Sequence, residues 1–494
     1  MARLADTLTD AGHNVTILAP VGEENIRAHI GAESTKNVWF VEQDEIMKGK
    51  MNTSTDPTVM NWLWLLKNRH EDYENCYDGF SVMVKETCAN LLRNQQIFET
   101  LKNSHFDVAI LEPISFCGYG LFEAVGIKKV ILSTSVTQFE GVIRNTAEPV
   151  DLSYVPSHGS QSLDLMNFWE RMENYEISEV IASHQEKNCE AEYMMLRERF
   201  GEDFPHWRKL MPTASLFFTN SIPYLDFPRP IIQKTVAIGG ISVDMERMRE
   251  QKLDEKWEKV LSLRKKTVLI SFGSMVHSTS MPTEWRDTIM ANIKQFSDVT
   301  FIWKYENDDV KWAGSVDNIY FSKWVPQTAL LVDDRLSAFL THGGLGSTNE
   351  LAHCGKPAIM VPIFGDQMRN SNMLARLNGS IVVNKFDLAD YDIVNNALRS
   401  ILYDEKYLKN ARKLAELLND TPFNPKELVV KHTEFLAKYG PFPSMSPRID
   451  HLNYFERNML DVELYLFARN HYCSIGITFI VLFLFSRVIR KLVK

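Results

Sequence analysis

The sequence predicts an α/β protein built from two successive domains, each with a parallel sheet. Three observations predict it. Short runs rich in β-branched and aromatic residues recur along the chain. Helical stretches separate them, and strands alternating with helices argue for a parallel sheet covered on both faces. The pattern breaks at DFPRPIIQ (226–233), where Pro228 and Pro230 push the preceding residues out of helix, and a second α/β series follows. A chain of 494 residues is also longer than one hydrophobic core ordinarily sustains.

In the first half, residues 2–11 carry a helical pattern that Gly12 stops. NVTILAP (14–20), FDVAILEP (106–113) and KKVILSTS (128–135) read as strands, with a helix over 117–125. Residues 160–211 are charged, rich in Met and aromatics, and helical. In the second half KKTVLISF, TFIWKY, LSAFLTH, KPAIMVPI and SIVVNK read as strands, and charged helices fill 404–440. The expected division is 1–225, 226–440, a linker or helical return segment at 441–471, an apolar span at 472–489 and a basic tail at 490–494.

Hydrophobic residues make up 45% and charged residues 24%, a globular balance that excludes disordered and collagen-like chains. A net charge of −9 excludes a general nucleic-acid binder, whose phosphate contacts need a basic surface. The six cysteines (Cys76, Cys88, Cys117, Cys189, Cys354, Cys473) show neither CxxC nor zinc spacing, so no metal is expected. Their number permits disulfides without requiring them, and most are expected to be buried thiols. The first twenty residues hold no signal-like apolar stretch. From Tyr472 the run YCSIGITFIVLFLF is almost wholly apolar and ends beside Arg487, Arg490, Lys491 and Lys494. This pattern predicts a single membrane-spanning helix over 472–489 with a cytosolic basic tail.

The informative stretch runs from Trp324 to Gln367: WVPQTALLVDDRLSAFLTHGGLGSTNELAHCGKPAIMVPIFGDQ. THGG follows a strand and opens a helix. Backbone N–H groups at a helix N-terminus, bare of side-chain bulk at Gly343 and Gly344, make an anion site. On this reading a diphosphate there needs no further cation, and His342 at the strand end donates to a phosphate oxygen. Ser347 and Glu350 have two readings, a capping box or a ligand pair in which one carboxylate bridges vicinal hydroxyls. Trp324 and Gln327, expected in a loop before a strand, offer an indole face to stack on a base and an amide to pair with its edge. Asp366, followed by Gln367, reads from the residues alone as a helix N-cap.

W-x-P-Q, T-H-G-G with S-x-x-E, G-x-P and D-Q at these spacings resemble the UDP-glycosyltransferase signature. SYVP (153–156), NFWERMEN (167–174), FTNS (218–221), IGGI (238–241) and SFGSM (271–275) extend the resemblance over nearly the whole chain. It resembles the animal, nematode-like UDP-glucuronosyltransferases. The resemblance implies the GT-B architecture: two Rossmann-like domains facing a cleft, with a C-terminal transmembrane helix. It implies inverting transfer of glucuronic acid or glucose from a UDP-sugar to a hydroxyl of a small lipophilic acceptor, as in detoxification. The UDP-sugar is a co-substrate and no cofactor is implied. The implied donor contacts are Ser274, Trp324, Gln327, His342, Gly343, Gly344, Ser347, Glu350, Asp366 and Gln367. The implied place is the endoplasmic reticulum membrane, single-pass with lumenal catalytic domains, as a homo- or hetero-oligomer. Asn52 and Asn419 stand in glycosylation sequons usable there. Asn14 and Asn378 fit the same pattern, Asn14 poorly because it begins a strand.

In the family a histidine after the first strand is the general base, oriented by a carboxylate. Glu112, ending FDVAILEP where the family usually has Asp, is the candidate carboxylate, and Asp107 at the strand start is a weaker one. Residues 2–11 match the helix after that first strand. His13 stands at its far end and is not the base, and His29 and His105 have no motif support. The expectation is therefore a first domain without its central strand, a fragment of a longer secretory enzyme. The competing expectation is a non-catalytic UDP-sugar-binding partner subunit.

Overall fold

The computed structural model describes residues 1–21, 30–50, 57–447 and 452–492. It falls into two compact units, 1–445 and 446–494. In the first unit the leading helix α1 (Ala2–Asp10) is followed by β1 (Ile17–Pro20) and β2 (Val38–Val41), which pair in parallel. Helices α2 (Pro57–Leu65) and α3 (His70–Arg93) lead to β3 (Ala109–Leu111), α4 (Cys117–Val125), β4 (Val130–Thr134), the 33-residue α5 (Phe168–Phe200), β5 (Leu216–Thr219) and β6 (Thr235–Ala237). Strands β3-β4-β5-β6 form a parallel sheet in that order. The first-half sheet thus stands in two pieces, and no described strand joins β1 to β3.

Local chemistry explains the well-defined ends. Asn167 accepts from Trp169 N and Glu170 N while Glu170 returns a bond to Asn167 N, a full capping box that starts α5. Gly126 stops α4 in the left-handed conformation at φ 86°.

The second half is more regular. Strands β7 (Lys266–Ser271), β8 (Val299–Lys304), β9 (Ile319–Ser322), β10 (Leu336–Thr341), β11 (Ala358–Met360) and β12 (Ser380–Val382) pair in the order β12-β11-β10-β7-β8-β9, all parallel. Alternate side chains serve opposite layers. Val268, Ile270, Phe301, Trp303 and Leu340 enter one core, while Leu269, Ile302 and Phe339 enter the other. Both faces are covered, so these strands read as continuous apolar runs rather than alternating ones. Between them lie α6 (Gln327–Val332), α7 (Leu345–Cys354) and α8 (Gln367–Ala375).

Four expectations need correction. Gln327 opens helix α6 instead of lying in a loop before a strand, because Val325-Pro326 turns the chain directly into helix. Strand β6 pairs with β5, so the first sheet continues past the boundary expected at 226. The return to the first domain comes before 441: α9 (Pro425–Tyr439) packs Val429 and Leu436 against Leu4 and Leu8 of α1 and against β4 and β5. Finally, most described cysteines are not buried thiols. Cys88 and Cys117 form a disulfide between α3 and α4, Cys189 is a buried thiol, and Cys76 and Cys354 are half-buried.

The second unit holds α10 (Leu460–Leu492), 33 residues long. Among the described residues no helix is long and apolar enough to cross a membrane. The span expected at 472–489 gains no support from them, and the side chains of 472–475, 477–480 and 488 lie outside the described residues. Asn52 does so too. Asn419 is exposed at the end of its helix, its amide donating to the carbonyl of His353.

Candidate functional site

The motif residues converge at the C-terminal ends of β7, β10 and β11, where open parallel sheets form their ligand crevice. The loop after β7 carries Gly273 and Ser274, His342 follows β10, and Asp366 and Gln367 follow β11. His342 packs between two glycines. A Cβ at Gly273 would stand 2.6 Å from His342 Cε1, and one at Gly344 would stand 2.6 Å from Nε2. Any side chain at either place would displace the imidazole. Burial, with the ammonium of Lys304 as a second cause, pushes the pKa of His342 down to about 4. The ring is therefore neutral at pH 7 and keeps one N–H to donate.

Lys304, at the end of β8, is a residue that the motif reading passed over. Its Nζ donates to the carbonyl of Gly273 and lies 3.9 Å from Glu306 Oε1. With His342 neutral, the positive charge beside the Gly273 loop comes from Lys304 and from the N-terminus of α7. The signal was present in TFIWKY: a lysine at the carboxyl end of a strand next to the glycine loop.

Gln327, Ser347 and Glu350 form one group. Gln327 Nε2 donates to Ser347 Oγ at 3.0 Å and to Glu350 Oε2 at 2.6 Å. Burial raises the pKa of Glu350, and the bond from Gln327 works against that rise. The capping-box reading fails on geometry. Gly344 is the N-cap of α7 with no side-chain cap bond, and Ser347 lies inside the helix. Trp324, three residues before Gln327, is 75% exposed. Ser274 is exposed in its loop.

Asp366 occupies the N-cap position of α8 without making a side-chain cap bond, and its Oδ2 accepts from Asn370 Nδ2 at 2.8 Å. Gln367 Oε1 accepts from Ile363 N at 2.9 Å and Phe364 N at 3.1 Å. These bonds brace the turn after β11, where the side chain of Gln367 is buried.

On the first-domain side Glu112 follows β3, and its Oε1 accepts from Ser135 N at 2.8 Å and from Ser135 Oγ. No histidine is hydrogen-bonded to it among the described residues. Asp107 lies two residues before β3. His13 lies instead against Glu434 at 3.2 Å. Helix α5 supports the Glu112 loop from below. Gln185 Nε2 donates to Pro113 O and Ile114 O, and the buried Glu192 accepts from Ser115 Oγ and Phe116 N, both at 2.6 Å. Burial raises the Glu192 pKa to about 7. Tyr73 and Tyr77 of α3 have phenols pushed up by burial, and Asp366 is among the charges that add to the rise. Tyr77 packs with Phe80, Phe139 and His184 at ring-centroid distances of 6.5, 6.2 and 5.8 Å. An aromatic cluster thus lies on the first-domain side of the Asp366 turn. Among the described residues no group of acidic, His or Cys side chains could hold a metal ion.

The sequence profile of the family described as "UDP-glucoronosyl and UDP-glucosyl transferase" matches residues 1–494. A Caenorhabditis elegans relative with a provisional UDP-glucuronosyltransferase name is 27% identical over 466 residues, 93% of this chain and 87% of its own. UDP-glucuronosyltransferase 1A1 of Homo sapiens is 27% identical over 470 residues, 93% of this chain and 84% of its own. Among solved structures, a Polygonum tinctorium UDP-glucosyltransferase superposes with a TM-score of 0.60 at 14% identity, covering 89% of this chain and 95% of that one. The kitacinnamycin glycosyltransferase gives 0.59 at 16% identity, covering 88% and 95%. These likenesses show the GT-B fold. With its site geometry and its full-length family match, the chain belongs to the UDP-glucuronosyl and UDP-glucosyl transferase family.

Proposed function

We propose that this chain transfers glucuronic acid or glucose from a UDP-sugar to a hydroxyl of a small lipophilic acceptor, by direct displacement with inversion. The observation that carries the reading is the Gln327–Ser347–Glu350 group beside the His342 cradle. Glu350 presents a half-buried carboxylate suited to two ribose hydroxyls, and Gln327, whose Nε2 orients it, offers its amide oxygen to a base edge stacked on Trp324. The diphosphate sits at the start of α7, bonded by N–H groups and neutral His342, with Ser274 in the facing loop. Asp366 and Gln367 take the hydroxyls of the transferred sugar. As the glycosidic bond breaks, negative charge grows on the departing UDP, and the α7 N-terminus with Lys304 stabilises it. No metal or other cofactor takes part. The Tyr77–Phe80–Phe139 cluster supports a lipophilic acceptor.

Glu112, held by Ser135, is the carboxylate available to orient a general base. The bond pattern around Glu112 supports a second reading, a UDP-sugar-binding subunit without turnover, because its Oε1 is engaged by Ser135 and no described histidine is bonded to it. Mass spectrometry of the chain incubated with UDP-glucuronate or UDP-glucose and a hydrophobic phenol separates the two. A glycoside that disappears in Glu112→Ala with the fold intact supports transfer. UDP-sugar binding without any glycoside supports the second reading.

Attachment to the endoplasmic reticulum membrane through 472–489, with lumenal domains, is a proposal resting on the apolar run and its basic flank. Retention of the chain in the membrane pellet after alkaline extraction is the expected result, and release into the supernatant contradicts it.

A further inference from the structure

One face of α8 carries the donor-side pair at its start and first-domain contacts along its length. Asn372 Nδ2 donates to Gln161 O at 2.8 Å, and Arg376 Nη2 donates to Leu225 O at 3.2 Å. Between them and the Asp366–Gln367 pair stands Arg369, with 0% of its surface exposed. Its Nη1 pairs with Asp226 Oδ1 at 2.7 Å and donates to Thr137 Oγ1 at 2.7 Å, and its Nε donates to Pro156 O at 3.1 Å. The guanidinium also lies over the ring of Phe227, 5.1 Å from its centroid. Asp226 is itself fixed, accepting from Ser221 Oγ at 2.6 Å and Phe227 N at 2.7 Å. Thr137 stands two residues beyond Ser135, whose N and Oγ hold Glu112. A connected path therefore runs from Glu112 through Ser135 and Thr137 to Arg369, and along one helical turn to Gln367 and Asp366.

We propose that Arg369 is a positioning residue. Its buried fork on Thr137, Pro156 and Asp226 locks the sugar end of α8 to the acceptor-side loop and so sets where the transferred sugar lies relative to Glu112. The planar guanidinium suits this task, because several donors in one rigid plane fix orientation as well as distance. The uridine and ribose contacts belong to α6 and α7, which the fork does not touch. The proposal rests on the UDP-sugar reading above. It adds that recognition of the sugar, unlike recognition of UDP, depends on a contact between the two halves of the chain.

The test compares UDP with UDP-glucose and UDP-glucuronate by calorimetric titration, in wild type and in variants whose far-ultraviolet spectra and melting curves confirm folding. Arg369→Met strands the buried Asp226, so the Arg369→Met/Asp226→Asn pair, which removes both charges, is the second variant. Arg369→Lys keeps the charge and loses the fork. The expected result for the double variant is UDP affinity within about twofold of wild type and UDP-sugar affinity weaker by about tenfold, with Arg369→Lys in between. An unchanged ratio of the two affinities, or an equal loss for UDP and UDP-sugar, overturns the proposal. Failure of the wild-type chain to bind UDP would overturn the nucleotide-site reading, and this proposal with it.

Discussion

Two ionisable side chains near the cleft, the half-buried His342 and the buried Glu192, pull stability in opposite directions with pH. His342 has an ordinary value of 6.5 and sits at about 4. Between those limits the unfolded chain binds the proton that the folded chain refuses, so stability rises with pH. Glu192 has an ordinary value of 4.5 and sits at about 7. There the folded chain holds the extra proton, so its contribution is lost as pH rises from 4.5 to 7. Each slope is at most about 1.4 kcal/mol per pH unit. Denaturant melts across pH 4 to 7 should show a weak dependence in wild type. Glu192→Gln should leave stability rising with pH, and His342→Gln should leave it falling; the same slope in both variants would contradict these assignments. Lys304 makes a separate prediction. Lys304→Met should weaken UDP by about tenfold and leave uridine, which lacks the diphosphate, nearly unchanged. Equal loss for both ligands would show that the lysine acts only by holding the Gly273 carbonyl.

At the scale of elements, α2 is the least expected piece of packing. It belongs to the first half of the chain but buries Trp64 in the core of the second. The indole meets Phe272 at 5.0 Å and Trp285 at 6.1 Å, and its Nε1 donates to His277 O at 3.1 Å. Nearby, Lys385 Nζ donates to Leu63 O at 2.9 Å and Ile363 O at 2.7 Å, and Asn68 Nδ2 donates to the same Ile363 carbonyl at 3.0 Å. Trp64→Ala should cost about 3–5 kcal/mol of stability; a loss under about 1 kcal/mol would mean that α2 is not docked this way. Nothing in NWLWLL announced this destination, because an apolar run states that a segment is buried and not against what. The central strands of the second sheet were legible because burial on both faces makes them continuous apolar runs, whereas β5 of the first sheet, four residues long and wholly buried, was not. Strands β2, β6 and β9 were not, being three or four residues long and half-buried at most positions. Helix α3 was not, because its buried residues are spread among charged ones over 24 positions.

At the scale of the whole molecule, the donor half of the site was readable from fixed spacings, since Gln327, Ser347 and Glu350 fall within 23 positions along one helix–strand–helix stretch. The acceptor half was not, because it is assembled from distant segments: Glu112 with Ser135, Tyr77 with Phe139, and Arg369 with Asp226. The same distinction explains why Lys304 was passed over, since its neighbour Gly273 lies 31 positions away. The molecule joins these halves through α8, α2 and α9, so changes at the cleft and changes in domain docking should be coupled.

In the proposed function the second domain binds UDP through Glu350, Gln327 and Ser347 beside the His342 cradle. Calorimetric titration of UDP into the intact chain, with and without a divalent-metal chelator, tests it most directly. One site per chain is expected, with the same affinity in the presence of chelator and a loss of about tenfold or more in Glu350→Ala, whose carboxylate is the proposed ribose partner. Undetectable UDP binding by the folded chain, or full affinity in Glu350→Ala, would contradict it.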